Sequence, residues 1–153
     1  MKPHWSIVLF AFGCPLLAEA QTGVNVPTSS PYVPRLGDIM NVVQIRHTKL
    51  WFAGKSANWD LAAYEARQLK AGLVEAASLY EGIPVTNVTT MAQPISALAD
   101  AIDAKDDKRF AKAYGDLTSG CNACHQSIGR GHIIMRVPDV SPFGDQQFAP
   151  QKR

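Results

Sequence analysis

The chain has 153 residues, with 15 Lys and Arg against 13 Asp and Glu. The resulting formal charge of +2 is too slight to argue for nucleic acid or an anionic membrane as a partner. Hydrophobic residues make up 46%, enough for one domain with its own core, and neither a low-complexity tract nor an internal repeat interrupts the chain.

Residues 1–20 have the composition of a cleaved export signal. Lys2 gives a positive start, Ser6 to Leu17 is mostly apolar, and Ala18-Glu19-Ala20 fits a small-x-small cleavage site. The apolar run is shorter than the ~20 residues a membrane span needs. Cleavage would remove Cys14 and leave Cys121 and Cys124, which are too close together to staple distant parts of a fold. Residues 21–35 carry Pro27, Pro31 and Pro34 among Ser, Thr and Gly, which predicts an extended arm.

Helical periodicity starts at Leu36. Leu36, Met40, Val43, His47, Leu50 and Gly54 alternate steps of four and three residues, which places them on one helix face. Ser56 or Asn58 is the next N-cap, and Ala62, Ala66, Leu69, Leu73, Ala76 and Tyr80 form a second stripe, ended by Gly82-Ile83-Pro84. A loop is expected from Gly82 to Thr90. The third stripe is Met91, Ile95, Leu98 and Ile102, with Pro94 in or near the first turn. Asp106 caps the fourth helix, whose stripe runs Phe110, Tyr114, Leu117, Cys121 and Cys124. Residues 130–153 are a proline-punctuated tail, expected to pack on the bundle through Ile133, Ile134, Val137, Phe143 and Phe148. Four helices with short connections over 36–129 imply an all-α, up-down-up-down four-helix bundle.

One stretch dictates a chemistry. Cys121-Asn122-Ala123-Cys124-His125 is the spacing that attaches a c-type haem: two thiols add across the vinyl groups, and the adjacent imidazole becomes the proximal iron ligand. Half of a zinc site is the other chemical reading, but His132 is the closest further ligand and still leaves the set incomplete. Because both cysteines continue the inner stripe of the fourth helix, one covalent haem c would enter the bundle interior. The antiparallel arrangement brings Met40, His47, Leu50, Tyr80 and Met91 to that end. Met40 or His47 is the candidate sixth ligand, each weighed against a plain core role. Trp51, Phe52 and Trp59 are read as packing.

The export signal, the four-helix pattern and a single C-N-A-C-H in the last helix resemble the class II cytochromes c, the cytochrome c prime family. The resemblance covers about Leu36 to Ile128 and includes Arg46 in the first helix with Leu50 four residues later. It implies that Arg46 contacts a haem propionate and that Leu50 packs over the distal face, where an aliphatic residue leaves iron open to NO or CO. Dimers through the first helix are frequent in that family. Met40 and His47 on the same stripe, and the long apolar tail, depart from its pattern. The expectation is a periplasmic monohaem carrier of single electrons between redox partner proteins, with a gas-binding haem protein as the alternative. No distal acid–base pair points to peroxidase chemistry, so no enzymatic activity is expected.

Overall fold

The computed structural model describes residues 31–83 and 85–151, with the side chains of 85–88 left aside; the expected leader and most of the proline-rich arm lie outside the described residues. Four helices follow one another: α1 Leu36–Lys55, α2 Trp59–Leu79, α3 Val85–Asp103 and α4 Asp107–Ser127. Among the described residues there is no strand, and no helix is long and apolar enough to cross a membrane.

Two connections use the same local chemistry. After α1, Ala57 enters the left-handed region (φ 53°) while Asn58 donates its N–H back to the Ala53 carbonyl and caps α2 through Leu61 N–H. After α3, Lys105 (φ 52°) and Asp106 repeat this: Asp106 N–H reaches the Ala101 carbonyl, and its carboxylate accepts from Lys108 and Arg109, both at 3.0 Å. Each is a Schellman-type reversal that hands directly to an Asx N-cap, so the bundle consists of two tight αα-hairpins.

Contacts run in opposite register where α1 meets α2 and α4, and the tight turn after α3 folds α4 back along it. Arg46 meets Glu65 and Val43 lies against Gly72 across α1 and α2; His47 meets Thr118 and Gly54 meets Phe110 across α1 and α4; Met91 lies against Gly120 across α3 and α4. Neighbours are therefore antiparallel, and the molecule is an up-down-up-down four-helix bundle. A Cβ at Gly54 would overlap the Phe110 ring, so a residue on the predicted stripe is glycine because the ring needs its space.

At this end of the bundle the core is aromatic. The Trp51 ring lies 4.8 Å from Tyr114 and 6.1 Å from Phe110, and Trp59 meets Phe110 edge-on at 5.9 Å. Trp51, Phe52 and Trp59 are packing residues here, as their places beside the stripes suggest. The tail is fastened by aromatic rings rather than by its aliphatic residues. Phe148 is buried against Phe52 and gives its carbonyl to the Asn58 amide, and Lys49 lies over the Phe143 ring. Ile133, Ile134 and Val137 are exposed, which corrects the expectation that all five would pack.

α3 also departs from expectation. It begins at Val85 rather than near Met91, so Pro94 is a buried residue of the helix interior and not of its first turn. The β-branched run Val85-Thr86-Asn87-Val88-Thr89-Thr90 has weak helix propensity and reads as loop. Packing of Met91, Leu98 and Ile102 into the core overrides it.

Candidate functional site

Away from the aromatic cluster the side chains on α4 become smaller: Phe110 and Tyr114 give way to Leu117, then to Gly120, Cys121 and Cys124. Facing them are Val43 and Met40 on α1 and Leu73 and Ala76 on α2. The bundle therefore opens at this end into a largely apolar cavity of about 360 Å³, within the size range of ligand pockets. Cys121, Cys124 and His125 all line it, together with Met40, His47, Met91 and a segment of the tail, Arg130 to Met135. The two thiols are not bridged to each other. Burial, with Cys124 close by, pushes the Cys121 thiol up to about 11, so it is held as the neutral S–H.

The fourth helix ends in a way that returns the chain over His125. Gly129 takes the left-handed conformation (φ 70°) and Arg130 N–H bonds back to the His125 carbonyl at 2.6 Å, a Schellman closure that glycine adopts without strain. A second turn, Ile133 N–H to Arg130 carbonyl at 2.8 Å, then sets the Ile133 carbonyl against the imidazole. His125 Nδ1 lies 2.8 Å from that oxygen. A carbonyl can only accept, so Nδ1 carries the proton, and in the neutral ring the lone pair is on Nε2. The first residue inside the C-x-x-C pair secures the returning strand: Asn122 donates to the Met135 carbonyl at 2.9 Å and accepts from the Met135 N–H at 2.7 Å.

His47 is at the cavity wall but its ring is engaged on both sides. Thr118 Oγ1 donates to the Tyr114 carbonyl at 2.8 Å and lies 2.9 Å from His47 Nε2, so Nε2–H is the donor of that pair. The Tyr114 hydroxyl lies 2.8 Å from both Nδ1 and the His47 carbonyl, and its one proton is shared between these two acceptors. Burial lowers the His47 pKa to about 4 and raises that of Tyr114, so both are neutral near pH 7. With Nε2 protonated and Nδ1 taken, binding iron through His47 would require breaking one side of this network.

The two residues singled out by the resemblance are elsewhere. Arg46 turns to α2, where its guanidinium bonds the Glu65 carboxylate at 3.1 Å and lies over the Tyr64 ring. Glu65 is 2% exposed, so this is a buried carboxylate with its counter-ion at the core edge. Leu50 is wholly enclosed in the core, and neither it nor Arg46 lines the cavity. Tyr80 does not line it either; its hydroxyl donates to the Pro34 carbonyl at 2.7 Å. Sequence reasoning missed Glu65, the Tyr114–His47–Thr118 chain and the Asn122 clamp. Glu65 stands one residue before the α2 stripe position Ala66, and Thr118 one residue after Leu117, so each had a positional signal in a polar residue flanking a stripe.

Among the described residues, no three His, Cys, Asp or Glu side chains converge as ligands for a metal ion. Comparison of the chain with protein-family models, with curated proteins and with solved structures finds no match.

Proposed function

We propose that this end of the bundle holds one covalently attached haem c. The observation that carries the reading is the convergence on one apolar cavity of Cys121, Cys124 and an imidazole whose Nδ1 proton is already given to the Ile133 carbonyl. Two thiols one helical turn apart suit a pair of vinyl groups, and an imidazole that donates through Nδ1–H to a carbonyl suits a proximal iron ligand binding through Nε2. When bound, the haem supplies a one-electron ferric/ferrous couple. The protein's share is to orient His125, exclude water through Val43, Leu73, Ala76 and Met91, and set the donors around the iron.

Within that class we read the protein as an exported, periplasmic single-electron carrier of the class II cytochrome c type, serving redox partner proteins. Met40 supports the carrier over a gas-binding protein. Met40 lines the cavity, whereas Leu50, the aliphatic residue that the gas-binding alternative needs beside iron, does not. Neither Arg46 nor His47 is offered as an iron or propionate partner in this reading, because both are held by other groups.

Absorption spectra of protein matured in a host that exports and attaches haem test this. The expected result is a covalent haem, low-spin when oxidised and reduced and indifferent to CO, with Met40→Ala turning it high-spin. A high-spin native spectrum that binds CO readily would transfer the assignment to gas binding. A folded, colourless product with both thiols open to alkylation would overturn the haem reading altogether.

A further inference from the structure

The long tail is where this chain departs from the family it resembles, and it reaches the centre of the proposed site. Resting on the haem reading, we propose that Asn122 is a positioning residue: by pairing with the Met135 backbone in both directions, it holds the strap Arg130–Met135 so that the Ile133 carbonyl accepts the hydrogen bond from His125 Nδ1–H and Nε2 is left for iron.

Three observations on separate atoms support it. The Asn122 amide uses both its donor and its acceptor on one backbone residue, a two-point contact that fixes position and direction at once. Only one residue, Ile134, separates that anchor from Ile133, whose carbonyl meets Nδ1 at 2.8 Å. The other end of the strap is closed on the helix itself by the Arg130 N–H to His125 carbonyl bond. Pinned at both ends, the strap has little freedom to move the accepting oxygen away. Ile134 is 77% exposed, and Ile133 and Met135 touch the cavity without being buried, so polar contacts supply the fixed points of this segment.

The consequence is electronic. An imidazole that shares its Nδ1 proton with an acceptor is a more basic donor through Nε2, and a more basic axial ligand favours ferric over ferrous iron. Asn122 would thus lower the reduction potential without touching haem, through a residue that the C-x-x-C-H pattern leaves unspecified.

The test is the reduction potential of the full-length haem-loaded protein by spectroelectrochemistry. Asn122→Ala removes both contacts from the helix side. Met135→Pro removes the N–H from the strap side and leaves the attachment motif intact, so it carries the test should Asn122→Ala fail to mature. Each is expected to shift the ferric/ferrous equilibrium about tenfold toward ferrous, about 59 mV more positive. Because both break one clamp, the double variant should shift no further than either single one. Unchanged potentials in both singles, or shifts that add in the double, would overturn the positioning role while leaving the haem reading standing. A native chain that carries no haem would overturn both.

Discussion

His47 gives this protein a built-in sensitivity to acid. Its side chain is 1% exposed, its nitrogens are matched to a hydroxyl on either side, and burial holds its pKa at about 4 against an ordinary 6.5. In the unfolded chain the ring takes up a proton as pH falls through 6.5; in the folded chain it does not until about pH 4. Between those values the unfolded state binds more protons, so stability rises with pH across that window and is lost as pH falls through it. At 1.36 kcal/mol per pH unit, the loss due to this one group is about 3 kcal/mol, complete near pH 4. Urea unfolding followed by circular dichroism, on the native protein and on His47→Gln from pH 7.5 to 4, isolates the effect. Carboxylates titrate in both proteins and cancel in the comparison. The native curve should fall more steeply by about 3 kcal/mol over the range, with most of the difference between pH 6.5 and 4. Two parallel curves would refute the claim that His47 folds uncharged.

The Arg46–Glu65 pair should behave as a buried ion pair whose partners are worth less than the damage done by separating them. Arg46→Met leaves the Glu65 carboxylate buried without its cation, a loss of about 3 kcal/mol given that Arg46 is partly solvated. Arg46→Met with Glu65→Leu should restore most of it, as measured by the urea midpoint, and a double variant as unstable as the single one would contradict the assignment. Gly54→Ala should cost about 1–3 kcal/mol, because its methyl group must displace the Phe110 ring. Thermal melts of Gly54→Ala alone and with Phe110→Leu check this, the cost of the alanine being smaller when the ring is absent.

The fold was legible where a stripe coincided with good helix formers and failed where it did not. The stripes ending at Gly54, Tyr80, Ile102 and Cys124 bury their members much as the spacing predicts, and Asn58 and Asp106 cap as their side chains suggest. The start of α3 was hidden because the β-branched residues before Met91 argue locally for a loop, while the reason they are helical is tertiary. At the site, the convergence of Cys121, Cys124 and His125 on one cavity was legible because all three lie on or beside the inner stripe of α4. The environment was less so. A stripe says which residues face inward but not how far along the bundle the cavity extends, and that is why Leu50 and Tyr80 fall outside it while Met40, His47 and Met91 line it. Arg46 could not be placed from sequence, since its partner is on another helix.

The grading of side-chain size along the bundle bears on why a prosthetic group is the better reading of the cavity than loose packing. The large rings of Phe110, Tyr114, Trp51 and Trp59 fill one end, while the smaller residues Val43, Ala76, Cys121 and Cys124 are gathered at the other. A sealed void of 360 Å³ would cost about 9 kcal/mol at about 24 cal/mol per Å³, comparable with the whole stability of a small domain. This cavity is partly open and its actual cost is smaller, but Leu at Ala76 or Val43 would narrow it with little loss of helix propensity. The room is reached by two thiols and one imidazole whose Nδ1 faces the Ile133 carbonyl, and the haem proposed above, flat, apolar and bonded to sulfur, would account for the room and the donors together.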